Sequence, residues 1–79
     1  MNLAEAVAKR TNELLAKSNK SQYRLIKDTC LDKTTIQSLF KGKTKDIKLS
    51  TVFLIADAFD MSLSEFMNTS YFSKNSIDI

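Results

Sequence analysis

Apolar residues recur at helical spacing in five stretches of the chain, each preceded by a residue suited to starting a helix. The first stretch, residues 3–17, carries Leu3, Val7, Leu14 and Leu15 as an apolar stripe, with Glu5, Lys9, Arg10 and Glu13 directed elsewhere. Asn2 precedes it, and Glu5 follows at the spacing of a capping box. After the polar break at 18–20, Ser21 begins a short helix over 22–29, with Leu25 and Ile26 inward. A tight turn through Cys30 and Leu31 leads to Asp32, which is placed to cap a third helix over 33–41. Leu31 and Ile36 have the spacing of a hydrophobic staple across that cap. Ile36, Leu39 and Phe40 form the inner face, leaving Lys33, Thr34, Gln37, Ser38 and Lys41 outside.

Gly42 suits the left-handed residue that ends a helix. The basic loop KTKDIK follows, and Ser50 is expected to cap a fourth helix over 51–59. Ser62 with Glu65 makes another capping box, and Met61 with Phe66 completes a staple around a fifth helix of one or two turns. Residues 69–79 lack a clear period, although Tyr71, Phe72, Ile77 and Ile79 argue against simple disorder. The expected organisation is a domain over 1–68 and a tail over 69–79 that packs on it or forms a dimer contact.

Composition supports an all-α fold. With 79 residues there is room for one core, and with no Pro and a single Gly little interrupts a helix. Cys30 has no thiol partner and there is no His, so neither a disulfide nor a metal cluster nor a nucleophile–base pair can be assembled. An enzyme is not expected, nor is a cofactor. No apolar run approaches the roughly 18 residues of a membrane span, and the start lacks a signal-peptide pattern. These absences point to a reduced cytoplasmic setting without membrane contact. Cys30 reads either as a semi-buried turn residue or as a redox sensor.

Charge changes the picture through its distribution. Between Lys20 and Lys48 eight basic residues outweigh three acidic ones, whereas the remainder has four basic and six acidic. Such a local field favours a polyanion, but a solvated Lys-rich surface accounts for the charge equally well. The arrangement of helices decides between them. Two short helices joined by a tight turn form a helix-turn-helix, whose second helix enters the DNA major groove. Lys33, Thr34, Gln37 and Ser38 would supply its polar face. Gln can bond adenine twice, Lys can reach guanine acceptors, and a Thr methyl can touch thymine. Gln22 starts the preceding helix, where free N–H groups favour a phosphate. Lys41, Lys43, Thr44 and Lys45 follow the reading helix, placed for a second phosphate grip.

The run SQYRLIKDTCLDKTTIQSLFKGKTK, then IKLSTVFLIADAF, then MSLSEF, resembles the lambda-repressor-like domains of Cro, the phage repressors and related XRE-type regulators. The resemblance covers about residues 3–67. It implies a compact five-helix domain with the helix-turn-helix at helices 2 and 3. It implies that Gln22 holds a phosphate, that Lys33, Thr34, Thr35, Gln37 and Ser38 look toward bases or nearby phosphates, and that Lys41, Lys43 and Thr44 contact the backbone. Thr35 could equally stabilise the first turn of its helix. Three positions depart from the family pattern. Cys30 stands where a turn Gly is usual, Ile26 replaces a small Ala at the close approach of two helices, and Asp60 takes another Gly position.

The expected function is therefore sequence-specific binding of double-stranded DNA by a small repressor, as a homodimer on two half-sites about 34 Å apart. Its setting would be bacterial or phage-encoded and nucleoid-associated when bound. The competing expectation is a protein-interaction module or antitoxin that keeps the fold and binds a protein partner. Tyr23 and Arg24 either contact the DNA backbone or cover the surface. Leu54 marks either a dimer surface or a staple with Leu49 across the Ser50 cap.

Overall fold

Local hydrogen bonds start the first helix where the sequence pattern places it. In the computed structural model, which describes residues 1–78, the Asn2 side chain accepts the Glu5 N–H at 2.8 Å and the Glu5 carboxylate accepts the Asn2 N–H at 3.0 Å. Helix α1 then runs Leu3–Ser18, followed by α2 Gln22–Thr29, α3 Lys33–Phe40, α4 Leu49–Ala58, α5 Leu63–Phe66 and a single 3₁₀ turn, Ser70–Phe72. There is no strand among the described residues. Ile79 lies outside them.

The five-helix, all-α expectation holds, and most helix ends fall within a residue of their signals. Gly42 adopts φ 72° and closes α3: its N–H bonds the Leu39 carbonyl at 3.3 Å, and the Lys43 N–H bonds that of Ser38 at 3.0 Å. That pair of bonds satisfies carbonyls a helix end would otherwise leave open. Asp60, at φ 57°, ends α4 by the same device. Ser62 and Glu65 form the second capping box, and α5 is one turn long. Its two bonds to Ser62 hold the Glu65 carboxyl below its ordinary range.

Two starts differ from expectation. Asp32 occupies the capping position of α3, but its side chain makes no capping bond. Its contribution is then confined to a negative charge at the positive end of the helix. Helix α4 begins at Leu49 rather than after Ser50. Lys48 is the capping residue, with the N–H groups of Thr51 and Val52 on its carbonyl at 3.0 and 3.2 Å. Ile47 packs against the core immediately before it, and that anchorage outweighs the modest preference of serine for a cap. With no cap at Ser50, the Leu49–Leu54 staple is lost, and Leu49 is 61% exposed.

The core joins Ala4, Val7 and Leu15 of α1 to Leu25, Ile36, Leu39, Val52, Ile55, Ala56 and Phe66. Leu3 and Leu14, expected in the stripe, are half-buried, and Ala4 and Ala6 take the interior positions. Buried Thr11 donates its hydroxyl to the Val7 carbonyl at 2.7 Å.

Arg10 corrects the expected polar face of α1. It is 9% exposed, not solvent-facing. Its Nε donates to the Phe66 carbonyl at 2.7 Å, Nη2 to the Glu65 carbonyl at 3.2 Å and Nη1 to Glu13 at 3.0 Å. A one-turn helix has almost all its carbonyls unsatisfied, and the guanidinium supplies donors where they end.

The tail lies across this region. Thr69 caps the 3₁₀ turn, the Tyr71 hydroxyl donates to Glu13 at 2.7 Å, and the Phe72 ring sits 6.2 Å from that of Phe66. The Tyr71 hydroxyl, then Arg10, hold the Glu13 carboxyl below its usual range. The same bond pushes the Tyr71 hydroxyl up.

The turn between α2 and α3 carries strain. Cys30 adopts φ 59° and ψ 20°, the left-handed conformation that the missing Gly predicts. It is exposed rather than semi-buried. Removing the Cβ relieves the conformation without leaving a void. Cys30→Gly should therefore stabilise the domain by about 1 kcal/mol, seen as a higher midpoint in urea at unchanged slope. Ile26, at the other departure, is half-buried against the core.

Candidate nucleic-acid interface

Helical geometry sets the order of side chains around α3. Ile36 and Leu39 are buried and Phe40 is half-buried, which orients the opposite side to solvent. At 100° per residue, Thr34 and Lys41 lie near the centre of that outer side. Lys33 and Gln37 flank it on one edge, and Ser38 and then Thr35 on the other. Lys33, Thr34, Thr35 and Lys41 are exposed, and Gln37 and Ser38 are half-buried.

The second edge opens into a groove of about 530 Å³ between α3 and the start of α4. Thr34, Thr35, Ser38 and Thr44 line it, with Lys48 and Ser50 on the α4 side. Leu31, Leu39, Ile47 and Leu54 form apolar walls, and Asp46 contributes the one carboxylate. The structure thus gathers Thr34, Thr35, Ser38 and Thr44 into one concavity. Lys33 and Gln37 remain on the other edge, and exposed Gln22 is the first residue of α2. Lys43 and Lys45 are exposed on the loop. Lys41 borders a shallower groove of about 340 Å³ between α1 and the end of α3, beside Lys9 and Asn12.

Lys48 and Ser50 are the groove residues that sequence reasoning passed over as candidates. Assigning Ser50 as a cap hid its position; α4 begins at Leu49, just after half-buried Ile47 packs against the core.

The basic residues divide into two groups. Lys20 donates to Asp28 at 3.0 Å and to the Ala58 carbonyl at 2.8 Å, with its ammonium 5.2 Å from the centre of the Phe59 ring. Arg24 bonds Asp28 at 3.2 Å. Lys20 first, then Arg24, keep the Asp28 carboxyl below its ordinary range. Lys20 thereby ties α2 to the end of α4, while Arg24 bonds within α2. By contrast, none of Gln22, Lys33, Thr34, Thr35, Gln37, Ser38, Lys41, Lys43, Thr44 and Lys45 has a side-chain hydrogen bond or ion pair among the described residues. Ten polar side chains on α3, the loop after it and the start of α2 are thus available to a ligand.

A pair of short helices with this turn, backed by a fourth helix, defines a helix-turn-helix domain. The Cro/C1-type HTH DNA-binding domain matches residues 10–70, and the chain belongs to that family. No curated protein and no solved structure matches the chain. Double-stranded DNA is therefore the ligand class of this domain. No helix among the described residues is long and apolar enough to cross a membrane.

Proposed function

We propose that the protein is a sequence-specific transcriptional repressor that binds DNA as a homodimer, one α3 helix in each of two successive major grooves. Lys33, Thr34, Gln37 and Ser38 face base edges. Gln22 and Thr35 hold phosphates on either side of the reading helix, and Lys41, Lys43, Thr44 and Lys45 hold the strand beyond it. Residues 1–68 form the DNA-binding unit, and Tyr71 and Phe72 of the tail brace it through Glu13 and Phe66. The observation that carries this reading is the set of ten unpartnered polar side chains clustered on one helix-turn-helix, while Arg10, Lys20 and Arg24 are engaged within the fold. The groove beside Ser38 and Thr44 is lined by hydroxyl groups of the kind that bond sugar-phosphate oxygens.

The altered turn at Cys30 and the apolar tail favour a partner-binding module, but Tyr71 and Phe72 of that tail pack on α1 and Phe66 of the same chain. Selection from random duplex DNA, followed by gel-shift titration across salt, tests the DNA reading. A recurring inverted motif and affinity that falls steeply with salt are expected. Absence of any enriched sequence would sink it. In the same assay Lys43→Ala should weaken binding to all sequences alike and reduce the salt slope by about one.

A further inference from the structure

The groove between α3 and the start of α4 holds one charge of the wrong sign for a polyanion. Asp46 lines it beside Thr34 and Ser38, which face base edges in the reading above, and beside Thr35 and Thr44, which hold phosphates there. The Asp46 carboxylate is exposed and has no hydrogen bond or ion pair among the described residues, although Lys45 and Lys48 are close along the chain. It caps no helix either. Lys48 is the capping residue of α4, and the Thr51 and Val52 N–H groups bond the Lys48 carbonyl. A carboxylate that supports nothing in the fold thus stands in the concavity where the reading helix meets DNA. We propose that Asp46 is a specificity-determining residue: it accepts a hydrogen bond from the amino group of a cytosine in the half-site, and repels any duplex that offers no donor there.

The chemistry of the carboxylate selects its partner. An ionised Asp can only accept hydrogen bonds. Phosphate oxygens are themselves acceptors, and the amino donors that DNA presents in the major groove are N4 of cytosine and N6 of adenine. Adenine carries its N7 acceptor beside that amino group, which opposes a carboxylate. Cytosine has no acceptor there. Where a phosphate lies against Asp46 instead, one like charge a few ångströms away costs about fivefold in affinity even at the dielectric constant of water.

The distribution of cations fits a discriminating role. Lys48 is the one cation lining the groove, so its charge and that of Asp46 cancel. Lys33, Lys41, Lys43 and Lys45 are exposed outside it. Attraction to phosphate is therefore supplied around the groove rather than within it. The repulsion falls on wrong sequences and is offset on the right one, and such a difference widens a specificity ratio.

The inference rests on the DNA reading above, and its test separates the two. Wild type, Asp46→Asn and Asp46→Ala are each put through selection from random duplex DNA. All three are then titrated onto the duplex that wild type selects and onto an unrelated duplex of equal length. Both variants should bind the unrelated duplex about fivefold more tightly, with no gain on the selected one. Their motifs should match that of wild type except at one position, where a preference for cytosine disappears. Thermal midpoints should be unchanged, since Asp46 has no bond within the described fold. Variant motifs that keep every cytosine preference would overturn the proposal and leave the DNA reading standing. So would an equal gain on both duplexes, which makes Asp46 a general repellent, or no gain on the unrelated one. If wild type selects no motif, sequence-specific binding fails and the role of Asp46 falls with it.

Discussion

Replacing Arg10 by Met should lower the stability of the domain by about 2–4 kcal/mol. The residue is almost fully buried, and its aliphatic stem is close in volume to methionine, so packing is largely kept. Three hydrogen bonds are not. The carbonyls of Phe66 and Glu65 lose their donors, and Glu13 loses its nearest cation. The loss concentrates where α5 and the tail meet α1, because the Tyr71 hydroxyl bonds the same Glu13 carboxylate. In a domain of this length each kcal/mol lowers Tm by about 4–8 °C, so thermal unfolding should shift down by on the order of 10–20 °C. Arg10→Lys should fall between the two proteins, since an ammonium keeps the charge but cannot present the planar fork of donors. An unchanged midpoint in Arg10→Met would show that water satisfies those carbonyls equally well.

Gln37→Ala is expected to have the largest effect on recognition. The side chain lies on the edge of α3 one turn after Lys33 and is half-buried, so few rotamers are open to it. Its amide can both donate and accept, which matches adenine in the major groove. Removing it should reduce discrimination at one base-pair position by about 1–3 kcal/mol, roughly ten- to a hundredfold. Affinity for unrelated DNA and the salt slope should not change, because no charge is lost. Thermal stability should hold as well, since the amide has no bond within the described fold. Competition with duplexes varied one position at a time measures this. A uniform loss across all of them would place Gln37 on the backbone.

These two residues differ in how far they could be read in advance. Gln37 was legible because everything that orients it is local. Ile36 and Leu39 turn one side of α3 inward, and the helical repeat does the rest. The capping boxes at Asn2 and Ser62 and the left-handed stops at Gly42 and Asp60 were legible for the same reason, each depending on residues within one turn. Arg10 was not. Nothing near it signals that a helix ends against it more than fifty residues later. The start of α4 failed in a milder way, because the packing of half-buried Ile47 against the core outweighed the capping preference of Ser50.

By itself, then, the sequence determined the order of helices, the helix-turn-helix and the polar side of its second helix. Their signals are short-range hydrogen bonds and apolar spacing. Only the tertiary structure decided which charges remain free. Lys20 and Lys43 look alike in a list of basic residues, yet Lys20 caps the last carbonyl of α4 and Lys43 has no partner within the described fold. It likewise decided that Leu49 and Phe53 stay outside the core. Whether a cation is engaged or an apolar side chain covered depends on what distant chain packs beside it, and spacing along the sequence carries no record of that.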